Sequence, residues 1–152
     1  MQQLKNRVLE HCKVSLTDKL HVLEITIKDL QESLLSETKS TAGDKHETGR
    51  AMVQLEMEKT GHKIGSIQQE LQIVNRILAD TIKQQDVVRL GSMVNTSNGI
   101  YLLSVGQGVV KCEDAVVYAV SLKSPIAVAL IGKRVGEEIS FMGKTILIKA
   151  IV

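Results

Sequence analysis

The sequence has few aromatic residues, few cysteines and almost no excess of charge. Its 152 residues include one Phe, two Tyr and no Trp, and all three rings lie in the last third of the chain. A ligand pocket walled by several aromatic side chains is therefore not expected. The net charge of +2 at pH 7 is also too small to indicate a surface for nucleic acid or for an anionic membrane.

The chain also lacks the cysteine spacing of a metal or redox site. Cys12 and Cys112 are far apart in sequence, and we expect both to be small buried side chains in a reducing compartment. His11, His21 and His62 have no second ligand at a workable spacing, so we predict that they lie on the surface. No stretch has the length of a membrane span or the pattern of a signal peptide. We therefore expect a soluble, cytoplasmic protein without a membrane partner.

Residues 1–86 carry an apolar residue at every third or fourth position along two stretches. This spacing places the apolar side chains on one narrow stripe of a helix, and the flanking Lys, Glu and Gln residues are typical of a coiled coil. The first stripe comprises Leu4, Val8, Cys12, Leu16, Leu20, Leu23, Ile27, Leu30 and Leu34, and the second comprises Met52, Leu55, Ile64, Ile67, Leu71, Val74, Leu78 and Ile82. The two stretches predict an antiparallel coiled-coil hairpin as the first domain, residues 1–86.

The segment STAGDKHETGRAM, residues 40–52, separates the two stripes. It contains Gly43 and several charges but no large apolar residue before Met52, so a charged bend is predicted there. Within the second stretch, Gly61 and Gly65 each cost about 1 kcal/mol relative to alanine in a helix. We therefore expect the middle of the second helix to be softer than its base.

Residues 87–152 predict a second domain that contains a small sheet. Their first part is rich in Val, Ile, Leu and Tyr and is interrupted by turn residues, which favours short strands. Asn98-Gly99 favours a hairpin turn in which both central residues have positive φ. Two further strands, turning at residues 142–144, close the chain, so we predict a sheet of about five strands.

One short helix is predicted to pack on this sheet. Ser124 is a favoured N-cap residue, Pro125 suits the first helical position, and Gly132 suits the end of a helix. The resulting fold class is α+β, with a helical hairpin followed by a sheet and one short helix.

The stretch SPIAVALIGKRVGEEISF, residues 124–141, resembles the C-terminal signature of the GreA/GreB family of bacterial transcript-cleavage factors. The order of the two domains also resembles that family, in which a coiled-coil hairpin precedes a small, antiparallel FKBP-like sheet domain. At the bend, GDKHET supplies Gly43, Asp44 and Glu47 in register with the tip motif of the family. Thr48 stands where the family has asparagine, and residues 49–51 also depart from its pattern.

The resemblance implies that the hairpin enters the secondary channel of RNA polymerase. Asp44 and Glu47 would then help to hold a Mg²⁺ ion of the polymerase active site, where two carboxylates suit such an ion. The polymerase itself would hydrolyse the backtracked RNA, so this chain would be no enzyme and would have no cofactor of its own. The tip would meet the 3′ end of the RNA only indirectly, and we expect a monomer when the protein is free.

The resemblance also implies two contact surfaces. Candidate tip contacts to polymerase or RNA phosphate are Lys45, His46, Thr48 and Arg50. The second domain would dock on the polymerase through Ser124, Pro125, Ile126, Ile131, Gly132 and Lys133.

Several alternatives stay open. Asp44 and Glu47 also fit a capping box, in which both side chains only satisfy backbone N–H groups at a helix start. The charges beside them could simply be solvated. The chain could occupy the polymerase channel without stimulating cleavage, and the departures at residues 48–51 keep this alternative open. A prolyl isomerase is disfavoured by the scarcity of aromatic rings, and a purely structural coiled-coil adaptor would not explain the signature at residues 124–141.

Overall fold

The computed structural model describes residues 1–39, 43–80 and 85–152, without the side chains of residues 37–39 and 43–46. Two long helices are followed by six strands and a short helix, which confirms the predicted α+β class. In chain order the elements are α1 (Gln2–Lys39), α2 (Gly43–Ala79), β1 (Met93–Thr96), β2 (Gly99–Ser104), β3 (Gly108–Cys112), β4 (Ala115–Ser121), α3 (Pro125–Leu130), β5 (Glu138–Phe141) and β6 (Lys144–Ile151).

The chain divides into two compact units. The helical unit comprises Ser15–Leu71, and the sheet unit comprises Met1–Val14 together with Gln72–Val152. The sheet unit thus contains the start of α1 and the end of α2 as well as every strand. The domain boundary predicted at residue 86, where the apolar periodicity changes, stays a prediction.

Helices α1 and α2 run antiparallel to each other. Within the helical unit, residues 19–23 of α1 and residues 62–67 of α2 line one open groove. The beginning of α1 and the end of α2 both belong to the sheet unit. The second helix therefore returns along the first, as the two apolar stripes predict.

The apolar stripe predicted for α1 is confirmed, because each of its positions is buried or half-buried. On α2 the predicted stripe is wrong at Met52 and Leu55, which are both exposed, and its last position, Ile82, lies outside the described residues. The half-buried positions in this part of α2 are instead Val53 and Met57, and they lead to Thr60, which is buried. The heptad spacing thus continues through the polar Thr60. Because the predicted stripe contained only apolar residues, its register was wrong in this part of α2.

The bend predicted at residues 40–52 is wrong for residues 43–52, which are helical. Helix α2 begins at Gly43, and of this segment only residues 40–42 lie outside the described part of the chain. Lys45, Glu47, Arg50 and Ala51 are all good helix formers, so the helix can begin as early as Gly43. The charged segment is therefore mostly the first turns of α2.

The sheet has six strands in the order β3-β4-β2-β1-β6-β5. All neighbouring strands are antiparallel except β2 and β4, which are parallel. The sheet is thus mixed and six-stranded, whereas the sequence pattern predicted about five strands and the family resemblance implied an antiparallel sheet. The difference arises because β3 forms a hairpin on the outer side of β4, so β4 lies beside β2 in the same direction.

The hairpin turn between β1 and β2 also differs from the prediction. Its central residues are Ser97 and Asn98, because Thr96 and Gly99 already pair as strand residues. Of the pair predicted to have positive φ, only Gly99 does, at +136°. The Thr96 side chain holds the turn instead: its Oγ1 accepts from the Asn98 N–H at 3.1 Å and donates to the Gly99 carbonyl at 2.8 Å.

One face of the sheet packs against α3 and carries the main apolar core. This core comprises Val88, Val94, Tyr101, Leu103, Ile126, Ala127, Leu130, Ile139, Ile146 and Ile148. The strand members alternate along β1, β2, β5 and β6, as expected for one face of a sheet. Burying these side chains, each worth roughly 1.5–3 kcal/mol if large, fixes α3 on this face.

The other face of the sheet is buried as well. Its residues Met93, Leu102, Val117 and Ala119 are fully or almost fully covered. The sheet unit also contains buried apolar residues from the ends of both long helices, namely Val8, Leu9, Cys12, Val74 and Ile77. We infer that these helix ends cover the second face of the sheet.

Polar contacts support this arrangement of the helix ends. Nη1 of Arg7 on α1 lies 2.6 Å from Oε1 of Glu113 in the turn between β3 and β4. Nζ of Lys5 donates to the Val152 carbonyl at 3.3 Å. Burial lowers the pKa of Lys5 below its usual 10.5, and Arg89 also lowers it while Asp80 opposes the shift.

Candidate functional site

The predicted tip motif lies in the first turns of α2. Glycine 43 is the first residue of the helix, so Asp44 lies inside the helix rather than at the N-cap position that a capping box requires. The side chains of Asp44, Lys45 and His46 lie outside the described part of the chain. Asp44 and Glu47 are three residues apart on the helix, a spacing that brings both to one side.

Glu47, Thr48 and Arg50 are all exposed at the start of α2. Among the described residues Glu47 has no hydrogen bond or ion pair, whereas Thr48 does interact with a neighbour. The Glu47 carboxylate is therefore open to solvent and accessible to an external ligand. Arg50, three residues further along, places a positive charge on the adjoining turn of the helix.

The second predicted surface surrounds α3, whose start agrees with the sequence prediction. Ser124 is the N-cap: its Oγ accepts from the Ala127 N–H at 3.4 Å and donates to the Ser121 carbonyl at 2.7 Å. Pro125 occupies the first helical position and is exposed. The residue types at this end of α3 therefore determine where the helix begins.

The end of α3 is fixed by backbone hydrogen bonds. The Ile131 N–H donates to the Ala127 carbonyl at 2.9 Å, and Gly132 follows with a φ of +80°, where glycine is favoured. The Gly132 N–H donates to the Val88 carbonyl, and the Val88 N–H donates to the Lys133 carbonyl, both at 2.9 Å. This bracing holds residues 131–133 at the surface, with Ile131 and Gly132 exposed and Lys133 half-buried.

Ile126 differs from the other residues predicted for docking. It is only 7% exposed and belongs to the core beneath α3. Its side chain therefore supports the helix from within and offers little surface to a partner.

Two exposed apolar residues of this surface escaped the sequence prediction. Val128 lies on α3, and Val135 follows the end of the helix; both are exposed. Val128 is three residues from Pro125 and three from Ile131, so the three lie on the helix face opposite to Ile126 and Leu130. This spacing, which was visible in the sequence, could have identified Val128.

No cluster of metal ligands is found in the described part of the chain. None of its residues form a group of three or more His, Cys, Asp or Glu side chains that could hold an ion. His11, His21 and His62 are exposed, as predicted. Cys12 is buried as predicted, whereas Cys112 is half-buried, and neither forms a disulfide bond within the described part of the chain. No helix of the described residues is long and apolar enough to cross a membrane.

Comparison with known proteins gives only structural likeness of low quality. The sequence matches no protein-family model, and no curated protein sequence matches it. Among solved structures, the chain is similar to the crystal structure of GreA factor homolog 1 (Gfh1) of Thermus thermophilus, with 19% sequence identity over 92% of this chain and 94% of that chain. The TM-score is only 0.34, so this likeness carries no argument about function. The fold class rests on the helices and strands described above.

Proposed function

We propose that this protein is a transcription elongation factor of the GreA/GreB kind. Its hairpin would enter the secondary channel of RNA polymerase and stimulate the polymerase's own cleavage of backtracked RNA. The observation that carries the proposal is the acid pair at the start of α2, with Glu47 exposed and Asp44 three residues before it. The signature at residues 124–141 and the order of helical hairpin and sheet support it from the sequence side.

The chemistry of two carboxylates fits a Mg²⁺ ion that is shared with another protein. Mg²⁺ prefers oxygen ligands and is commonly held by one or two carboxylates together with water and phosphate oxygens. Asp44 and Glu47 would supply those two carboxylates, and the remaining ligands would come from the polymerase and the RNA. When bound, such an ion promotes attack by water and stabilises the negative charge that develops on the phosphate.

Docking would be the task of the surface around α3. Its exposed apolar residues Pro125, Val128 and Ile131 share one helix face, and the backbone bonds after the helix hold Gly132 and Lys133 beside them. Apolar groups presented by a rigid element lose little conformational entropy on binding. The half-buried Lys133 would add a positive charge to the edge of this contact.

A second candidate function is occupation of the channel without stimulation of cleavage. Arg50 favours it, because this exposed positive charge lies close to Glu47 along the helix. An arginine so near could pair with a carboxylate that the ion requires. Lys45 and His46 add two further basic residues to the same turns.

The decisive experiment measures RNA cleavage in stalled elongation complexes made with the cognate polymerase. The variants are Asp44→Asn and Glu47→Gln, with Asp29→Asn and Glu58→Gln as controls, because both control acids are exposed on the same two helices. We expect the tip variants to lose most of the stimulation, to bind polymerase normally and to regain part of their activity at raised Mg²⁺. The control variants should behave like the wild type.

Each outcome selects one interpretation. If the wild type binds and releases no short RNA above the polymerase background, the channel-occupying function replaces the cleavage factor. If both tip variants stimulate RNA cleavage as well as the wild type does, Asp44 and Glu47 serve only to stabilise the start of α2. Binding itself is tested with Val128→Glu against Val14→Glu, two exposed valines of the sheet unit, and only the first is expected to weaken it.

A further inference from the structure

The end of the sheet that lies farthest from β5 has an open edge. Strand β3 is the terminal strand and pairs only with β4, so its outer edge has no neighbouring strand among the described residues. Apart from its bonds to β4, the backbone of Gly108–Cys112 makes no hydrogen bond to any described residue. An open edge presents N–H and C=O groups that can pair with another extended chain.

The sheet face beside this edge is apolar and exposed. Val109 is 53% exposed, Val116 is 44% exposed and Tyr118 is 39% exposed. In the antiparallel register Val109 is opposite Tyr118, and Lys111 is opposite Val116, so the four side chains form one patch on one face. We call Val109, Lys111, Val116 and Tyr118 the edge patch.

The edge patch continues the main core of the sheet unit. The ring of Tyr118 stacks on that of Tyr101, with centroids 5.5 Å apart and an angle of 27° between the planes. Tyr101 is a core residue, and its hydroxyl accepts from Nδ2 of Asn98 at 3.1 Å. The core beneath α3 thus extends to Tyr101, while the patch beyond it stays uncovered. A rigid, partly aromatic surface of this kind is typical of a binding site.

The charges near the edge select the kind of segment that fits. Lys111 is exposed and has no ion pair or hydrogen bond in the part of the chain that the structure describes. Glu113, at the end of the same hairpin, is engaged by Arg7 on α1. The free charge in the edge patch is therefore positive. An added antiparallel strand would place one residue opposite Val109 and another, two positions earlier, opposite Lys111.

We propose that β3 binds an extended peptide segment of a partner protein by strand addition. The segment has a carboxylate opposite Lys111 and an apolar side chain opposite Val109, which gives the pattern acid, any residue, apolar residue. Backbone hydrogen bonds supply affinity, and the edge patch supplies selectivity through its two alternate positions. None of the residues of this site belongs to the α3 surface that is proposed to dock on the polymerase.

The test uses the full chain and a short capped peptide whose centre reads Glu-Thr-Val. Amide hydrogen exchange and chemical shifts are followed by NMR as the peptide is added. At a peptide concentration ten times its Kd, outward-facing amides of β3 should exchange about tenfold more slowly. Shift changes should be confined to β3, β4 and the ring of Tyr118. Unchanged exchange along β3, or shift changes centred elsewhere, would overturn the proposal.

Substitutions separate the apolar and the charged part of the site. Val109→Lys should abolish the effect, whereas Val14→Lys, at a position with a similar exposure of 58%, should leave it unchanged. Lys111→Glu should weaken binding of the Glu-Thr-Val peptide and strengthen binding of its Lys-Thr-Val counterpart. Equal binding of both peptides to wild type and Lys111→Glu would overturn the charge assignment. If sedimentation shows the chain associating with itself in a manner that Val109→Lys removes, the occupant is a second copy and the peptide proposal fails.

Discussion

Replacing Gly61 and Gly65 with alanine is expected to stabilise the helical unit, whereas the same change at Gly91 is expected to destabilise the sheet unit. The first two glycines lie inside α2, and a Cβ built at either position has no atom within 4 Å. Gly91 has a φ of +86°, and a Cβ built there lies 3.1 Å from Cγ2 of Ile77. The methyl group of alanine thus has room at Gly61 and Gly65 but is in close contact with Ile77 at Gly91.

The size of each effect follows from the local geometry. Alanine is better than glycine in a helix interior by about 1 kcal/mol per site, so the double variant should gain about 2 kcal/mol. If that gain opposes local opening of α2, amide exchange in this part of the helix slows about 30-fold. At Gly91 the left-handed φ costs alanine roughly 1–2 kcal/mol. Displacement of Ile77, which is 7% exposed, adds to that cost.

The assay is native-state hydrogen exchange on the wild type, the double variant and Gly91→Ala. Slower exchange in residues 55–71 of the double variant, with the strands unaffected, would show that the two glycines soften α2. Unchanged or faster exchange in these residues would refute the reasoning, because it would mean that the added methyl groups make an unfavourable contact where the structure has open space. A Gly91→Ala protein as stable as the wild type would refute the close contact with Ile77.

Three further outcomes are expected. Leu16→Ala should cost about 2–5 kcal/mol of unfolding free energy and Leu55→Ala less than about 0.5 kcal/mol in urea titrations, since only the first side chain is buried; equal costs would contradict the observed stripe. The pKa of Lys5 is lowered in the folded state, so the free energy of unfolding of the wild type should rise with pH in the range below 10.5, where the unfolded chain still holds the proton. Lys5→Met should remove this rise. If the unfolding free energy of the variant still rises with pH, another group is responsible. Ser124→Ala should cost about 1 kcal/mol through loss of the N-cap of α3, with Ser140→Ala, at an exposed position of β5, as the control. Equal costs would show that the Ser124 side chain does not stabilise α3 as a cap.

Much of the fold could be predicted because the relevant signals are local. The stripe of α1 depends only on spacing along one helix, and the start and end of α3 depend on Ser124, Pro125 and Gly132. Each of these residues acts within a turn or two of its own position. The prediction failed at Met52 and Leu55 because Thr60 belongs to the stripe, and apolarity alone cannot identify a polar residue that faces a partner helix.

The remaining features depend on contacts between distant parts of the chain. The parallel pairing of β2 with β4 requires β3 to lie on the outer side of β4, and no residue in β3 indicates that side. Burial of Cys12 was predicted, but a helical stripe does not specify whether its partner is another helix or a sheet. For the candidate site, the acid pair was visible as a motif, whereas exposure of Glu47 and burial of Ile126 required the structure.

The division into two units separates charge more sharply than the order of the sequence does. The helical unit, Ser15–Leu71, has seven Lys and Arg residues against ten Asp and Glu, a net charge of −3, and the sheet unit has twelve against seven, a net charge of +5. Residues 1–86 taken together are nearly balanced, because the bases at both ends of the hairpin, Lys5 and Arg76 among them, belong to the sheet unit. A unit with a net negative charge attracts cations, and a unit with a net positive charge attracts anionic surfaces. An acidic helical unit would suit the proposed function, in which Asp44 and Glu47 approach a metal ion. If the sheet unit docks on a polymerase as proposed, the salt dependence of docking should originate in its basic surface, since exposed charges are screened over about 8 Å at physiological ionic strength.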